Sequence, residues 1–358
     1  MGISPKFWKD KNVLITGHTG FKGSWLCLWL NKMGANVSGL SLSDPVSSPD
    51  LYSVLGLDEL VNDNRGDISD YETCLEIVKK TNPEIVIHMA AQPLLRLSYS
   101  NPLKTYNTNV LGTANLLEAL RDCKTVRSII VITTDKCYEN IEKDYAYVET
   151  DSLGGYDPYS SSKACAEHVA SAYYRSFFKD KGIGLATARA GNVIGGGDWA
   201  IDRIIPDMVR SWKKNEKLVI RYPSATRPWQ HVLEPLNGYL VLAEKLWRKP
   251  EEFSGGWNFG PDQNSVKTVQ ATVELMANVW GESVDWVTSG EKHLHEANLL
   301  QLNSSKAHTL LGWRPKYDFD EAVNKTIYWY KTYYTNKQEM MEYTLNQITE
   351  YEGKFNYA

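Results

Sequence analysis

Short apolar runs alternate with stretches of helical spacing along most of this chain. Asn12-Val13-Leu14-Ile15-Thr16 leads through a glycine turn into Ser24-Trp25-Leu26-Cys27-Leu28-Trp29-Leu30, which predicts a strand followed by a helix. Asn36–Ser41 predicts a second strand, and residues 83–92 a buried strand ending in small residues. In residues 105–120, Val110, Leu111, Ala114, Leu117 and Leu120 share one helical face. Ser128–Ile132 reads as another buried strand, and residues 184–189 as a further one. In residues 159–178, Ala164, Ala166, Val169, Ala170, Tyr173 and Phe177 recur at three and four, again a helix. Trp257-Asn258-Phe259 ends a short strand, and Val269–Trp280 is an amphipathic helix. Leu310 to Pro315 closes a helix, residues 319–334 form the last strongly periodic one, and residues 338–358 read as a polar helical tail. Strands alternating with helices predict an α/β fold built on a doubly wound parallel sheet.

Composition narrows the class. With 358 residues the chain can form one large domain or two moderate ones. Its 42% hydrophobic and 23% charged residues are those of an ordinary globular protein with a core of normal size. A net charge of −4 without a basic tract argues against a nucleic-acid partner. No apolar run is long enough to predict a membrane span, and residues 1–12 carry no signal segment. Five scattered cysteines with no Cys-x-x-Cys suit the reducing cytoplasm, with neither disulfides nor zinc. His293-x-His295 lacks a third ligand, so no metal is expected. Prolines and tryptophans cluster between Asp198 and Pro235, which marks a change of character along the chain.

The chemistry begins at Gly17-x-x-Gly20-x-x-Gly23. Glycines after a strand and before a helix let the backbone approach a pyrophosphate, and the helix N-terminus supplies free N–H groups. The spacing is three and three instead of two and three, so this is a variant of the dinucleotide fingerprint. At the end of the second strand, Ser41 or Ser43 would take the ribose role usually given to an acid, because Asp44 comes late. No arginine stands there to receive a 2′-phosphate, which favours NAD over NADP. Asp67 either meets the adenine amino group or is a structural loop residue. His88 reads as a packed strand histidine. Thr133-Thr134-Asp135-Lys136 follows a strand at the edge where such sheets hold their ligands. Tyr159 and Lys163 stand one helical turn apart, an arrangement in which the ammonium lowers the phenol pKa. The same pair also fits an ordinary helix. Gly191-Asn192-Val193-Ile194-Gly195-Gly196-Gly197 reads as a loop too flexible for the core. Arg227-Pro228-Trp229-Gln230-His231 is either a phosphate-binding segment or a rigid surface loop.

In this order, the pieces resemble the extended short-chain dehydrogenase/reductase family, whose members act on nucleotide sugars. The markers are Thr16 through Gly23, His88-Met89-Ala90-Ala91, Thr108 through Thr113, Thr133-Thr134-Asp135, Tyr159-x-x-x-Lys163 and Arg189 through Val193, in a match running over residues 8–335. The resemblance implies a Rossmann domain at 8–190 with a later contribution from 232–260, a nucleotide-sugar domain at 191–231 and 261–335, and a tail at 336–358. It implies NAD held by Gly17, His18, Thr19, Gly20, Phe21, Lys22, Gly23, Ser41, Asp67, Ile68, Ala90, Ala91, Gln92, Asn109, Thr133, Tyr159 and Lys163. Thr134, Asp135, Lys136, Tyr159 and Lys163 would be catalytic, and Asn192, Arg203, Arg227 and His231 would bind substrate.

Within the family, residues 17–26, Thr134-Asp135-Lys136, residues 227–236 and His295-Glu296-Ala297 are most similar to the sugar 4,6-dehydratase branch, with CDP-glucose as the implied small-molecule substrate. That branch feeds dideoxyhexoses into surface polysaccharide. Thymidine-linked relatives carry Thr-Asp-Glu where this chain has Lys136. A 4-epimerase, a thymidine-linked dehydratase and a non-catalytic NAD-sensing module are the competing readings. The resemblance also implies a homodimer or tetramer, joined through helices beginning near Thr105 and Tyr159.

Overall fold

The structure is a computed structural model that describes residues 2–45, 47–281, 286–288 and 299–355. Seven parallel strands form the large sheet: β1 (Asn12–Thr16), β2 (Asn36–Ser41), β3 (Asn62–Arg65), β4 (Ile85–His88), β5 (Ser128–Ile132), β6 (Gly184–Ala190) and β7 (Gly255–Phe259). Their order is β7-β6-β5-β4-β1-β2-β3. Strand order reverses between β1 and β4, where Thr16 lies level with both Leu40 and His88. Loops leaving those two strands diverge and open a crevice at their carboxyl ends.

Burial alternates with the period of two that a strand imposes. Val13 and Ile15, Ile85 and Ile87, and Ile130 and Ile132 face one core. Leu14, Val86, Ile129 and Val131 face the other. Helix α1 (Phe21–Lys32) lies on the first face and is buried from Gly23 to Leu30, because C-terminal elements cover its outer side. Helices α2 (Tyr71–Thr81), α3 (Gly112–Leu120) and α4 (Pro158–Tyr173) cover the second face. Asp70 caps α2 by accepting Thr73 N at 3.2 Å, and Asn82 ends it in the left-handed conformation. Beyond β6 come α5 (Ile204–Lys214), α6 (Leu233–Arg248), α7 (Val269–Trp280), α8 (Phe319–Thr335) and α9 (Met340–Gly353).

Three local expectations change. Residues 105–120 are not one uniform helix: Pro102–Tyr106 passes through a wide turn at Asn107–Leu111 before α3. A wide turn carries an extra residue and rotates the face that follows. Leu111 is therefore 55% exposed, while Leu116 and Leu117 are buried. A second wide turn, Tyr174–Phe178, puts Phe178 in the core and leaves Phe177 at the surface.

The glycine-rich stretch after β6 is not a loose loop either. Asn192–Ile194 is a strand paired parallel with Trp229–His231, and that partner also pairs antiparallel with Val266–Thr268. Gly196 is required by packing, since a Cβ there would sit 1.9 Å from the Trp329 ring. The polar C-terminus also hides an apolar stripe. Met340, Ile348 and Tyr351 of α9 are buried, and Trp29 Nε1 donates to Glu352 at 2.8 Å.

All five cysteines are free, no group of residues suited to hold a metal occurs among the described residues, and no described helix is long and apolar enough to cross a membrane.

Candidate active site

The crevice holds two cavities, of about 340 and about 200 Å³, which meet at Phe21, Lys22, Met89, Ala91, Pro93, Asp198 and Arg203. The smaller one lies over the glycine turn. Gly17 has a φ of +75°, and a Cβ there would come within 2.7 Å of Ala90 N; one on Gly23 would come within 2.2 Å of Gly17 O. Both glycines are thus fixed by close backbone approach. Gly20 caps α1 without a side-chain bond, so the first amides of α1 remain available to an anion. This cradle fits a pyrophosphate. Gly17, Thr19, Gly20, Phe21, Lys22, Gly23, Ser41, Asp67, Ile68, Ala90 and Ala91 all line this cavity. Asp44 lines it as well, as do Gly197 to Ala200 from the far side, which the sequence pattern did not indicate.

Three residues expected at the cofactor stand behind the wall instead. His18 is fully buried, with Nδ1 at 2.9 Å from Ser41 Oγ and Nε2 at 2.9 Å from Asp63 Oδ1. Burial lowers its pKa, against the pull of Asp63. Its work is to aim Ser41. Gln92 and Asn109 bind each other: Gln92 N donates to Asn109 Oδ1 at 2.8 Å, and Asn109 Nδ2 donates to Gln92 O at 3.1 Å. Asn109 Nδ2 also donates to Ser162 Oγ at 2.8 Å, tying this knot to α4.

His88 extends the knot to β1. Thr113 Oγ1 gives its proton to Asn109 O at 2.7 Å and so accepts from His88 Nε2 at 3.1 Å, which leaves Nδ1 to accept from Thr16 Oγ1 at 2.6 Å; Ala90 N donates to that same hydroxyl at 3.1 Å. Burial pushes this imidazole down to about 3, which keeps it neutral.

The larger cavity gathers the chemical groups. Helix α4 starts under Asp157, which accepts Ser160 N at 2.9 Å and Ser160 Oγ at 2.6 Å, with Pro158 in the first turn. That start places Tyr159 and Lys163 on one face, and both line the cavity with Thr133, Thr134, Asp135, Lys136, Asn192, Arg203 and Arg227. Lys163 Nζ donates to Ile132 O at 3.0 Å, docking α4 against the end of β5. Thr134 Oγ1 donates to Asp135 Oδ1 at 3.0 Å. Gly191 leaves room for that carboxylate, because a Cβ there would meet Asp135 Oδ2 at 3.0 Å.

Burial pushes the Tyr159 phenol up to about 12, and the groups that oppose this are Thr134, by a hydrogen bond, and Arg203, by its charge. Burial lowers Lys163 itself to about 8, and Glu167 opposes this. Asp135, 3% exposed, is raised by burial against Lys136, Thr134 and Arg227. Lys22 is lowered to about 7 by burial and by the charges of Lys163 and Arg203. Arg203 pairs with Asp198 at 2.8 Å where the two cavities meet.

One expected substrate residue is misplaced. His231 is fully buried between Trp25 and Tyr317, their ring centroids 5.9 and 5.5 Å away, and does not line either cavity. Arg227, four residues earlier on the same strand, lines the larger cavity, whereas His231 lies farther along, where Trp25 and Tyr317 enclose it. His293, His295 and Glu296 lie outside the described residues.

Comparison with known proteins agrees with this architecture. The chain is 48% identical over 354 residues, 98% of each protein, to CDP-glucose 4,6-dehydratase of Salmonella typhimurium. Among solved structures, dTDP-glucose 4,6-dehydratase of Bacillus anthracis in complex with NAD superposes with a TM-score of 0.74 at 22% identity, over 93% of this chain and 99% of that one. The epimerase Mth375 of Methanothermobacter thermautotrophicus superposes with 0.81 at 22% identity, over 94% of this chain and 96% of that one. At that distance the likeness is one of fold, and it does not separate a dehydratase from an epimerase. The model of the GDP-mannose 4,6 dehydratase family matches residues 14–326. With a doubly wound sheet, a glycine cradle at its switch point and a tyrosine–lysine helix across the cleft, the chain belongs to that family of nucleotide-sugar dehydratases.

Proposed function

We propose that the chain converts CDP-glucose into CDP-4-keto-6-deoxyglucose and water, with NAD as a regenerated cofactor. The observation that carries this reading is the end-to-end match at 48% identity to the Salmonella CDP-glucose 4,6-dehydratase. The open amides of α1 and the absence of side chains at Gly17 and Gly23 suit the cofactor pyrophosphate. Ser41 would hold the adenosine ribose, and Lys163 would hold the ribose of the nicotinamide half. NAD, when held there, would supply a reversible hydride acceptor for the sugar.

Tyr159 accepts the C4 hydroxyl proton, and Thr134 hydrogen-bonds the same oxygen. The resulting 4-ketone acidifies the proton on C5. Asp135, buried and raised in pKa, keeps a proton to give to the departing C6 hydroxyl. Lys136 lines the cavity beside it, placed either to take the C5 proton as a neutral amine or to stabilise the enolate as a cation. Arg227 and Asn192 hold the pyrophosphate of the substrate, and Arg203 stands close to both ligands. The enzyme works in the cytoplasm as a homodimer or tetramer, and its product feeds CDP-linked dideoxyhexose synthesis for surface polysaccharide.

The test is to offer CDP-glucose, dTDP-glucose, UDP-glucose and GDP-mannose and to follow the enone absorbance of the product in alkali. CDP-glucose alone should give rapid product. A hexose epimer without loss of water would overturn the reading, as would equal turnover of the thymidine substrate.

A further inference from the structure

The larger cavity runs well beyond the reacting groups. Past Arg227 and Arg203 it continues between the first turns of α5 and the short strand Leu218–Ile220. Ile205, Pro206, Val219 and Ile220 give it apolar wall there, with Val219 55% exposed, and Arg221 and Tyr222 border it. Sugar, pyrophosphate, ribose and base follow one another along a nucleotide sugar. With the sugar at Tyr159 and the phosphates at the arginines, only the base remains for this apolar end.

Two carboxylates line that end: Asp202, bound by Arg96 and Arg221, and Asp207 of α5. Arg210 Nη2 holds Asp207 Oδ1 in a close ion pair, and the same guanidinium donates to Trp199 O at 2.8 Å and Ala200 O at 3.3 Å. The carboxylate is therefore fixed in place, and its Oδ2 makes no hydrogen bond among the described residues. Burial raises its pKa, and Arg210 opposes this. The charges that act on it come from Arg210, Asp202 and Arg221.

An ionised carboxylate only accepts hydrogen bonds. Cytosine carries an N4 amino donor where uracil and thymine carry the O4 acceptor, and these two edges present opposite demands. We propose that Asp207 is the base-selecting residue: its free oxygen accepts the cytosine N4 amino group and repels the O4 of uracil and thymine. This rests on the CDP-glucose reading above. A base seated over the half-exposed carboxylate would shut it from water, and selectivity is then steep, because the wrong base leaves both partners without a hydrogen bond.

The test measures binding of CDP, UDP and dTDP by calorimetry to the wild type, Asp207→Asn and Asp207→Leu. Asn keeps the shape and the bond to Arg210 while its amide can donate to O4, so the preference for CDP over UDP should narrow by at least tenfold, with UDP affinity gained. Leu should lose CDP affinity and gain none for the others. A gain for UDP cannot come from misfolding. If the wild type prefers CDP and both variants keep the same ratio, the role of Asp207 is overturned and the CDP-glucose reading stands. If the wild type itself shows no preference for CDP, that reading falls and this inference with it.

Discussion

Tyr159 is held in tension. Burial favours its neutral phenol, while Thr134 and the Arg203 charge favour the phenolate. The one-turn spacing to Lys163 is legible in the sequence, but the direction of the lysine side chain is not. Its ammonium meets a strand-end carbonyl, a contact that only the packing of α4 on β5 creates. Arg203, distant in sequence, brings a second positive charge to the phenol. Asp63 escaped notice for the same reason, since nothing in Asn62-Asp63-Asn64 marks a partner for a histidine 45 residues away.

Tyr159→Phe should lower kcat by about 10²- to 10⁴-fold, the usual worth of a positioned proton acceptor, and leave CDP binding unchanged by calorimetry. Unchanged turnover would remove the phenol from the reaction. For Lys136, the informative pair is Lys136→Met and Lys136→Glu, read by solvent-deuterium incorporation at C5. A base role predicts that Glu restores incorporation and Met does not, while a cation role predicts that neither does.

At the scale of elements, buried strands and amphipathic helices follow from periodicity, so β1, β2, β5 and α7 are legible to the residue. The departures come from wide turns, which shift the helical phase by one position without a sequence mark. Leu111 and Phe177, both read as members of apolar faces, end up exposed. Glycines were read as flexibility where they serve close approach, as at Gly191 beside Asp135 and Gly196 beside Trp329.

Helix α9 was read as a tail because its polar residues outnumber its anchors. One anchor is Tyr351, whose hydroxyl donates to Glu234 Oε2 at 2.7 Å while Lys316 N and Tyr317 N donate to Oε1. Burial raises this carboxyl to about 7, above its unfolded value, although those bonds oppose it. The folded chain therefore binds the proton more tightly, and this group's contribution to stability falls as pH rises from about 4.5 to about 7. Glu234→Gln removes the titration. Its melting temperature should gain on the wild type across that interval, as read by calorimetry, and a constant difference would show that Glu234 titrates normally.

The molecule as a whole leaves apolar side chains uncovered on one region. Leu97 is 41% exposed, Leu103 82% and Leu111 55%, all on the helical segments around residues 95–111 that precede α3. A second chain covering them would remove this surface from water. Leu103→Glu combined with Leu111→Glu should reduce the particle mass in light scattering from at least twice the 40.6 kDa chain mass to one chain. A wild type that scatters as a single chain would contradict the assembly.

Across the whole cleft, the account requires that the hydrogen leaving C4 returns to the same sugar at C6. The most direct measurement supplies CDP-glucose deuterated at C4, mixed with unlabelled substrate bearing a ¹³C tag, and reads the product by mass spectrometry and NMR. The account predicts deuterium at C6 of the untagged molecules only, with none lost to water. Deuterium spread to the tagged molecules, or a 4-keto-6-deoxy product without deuterium at C6, would contradict it.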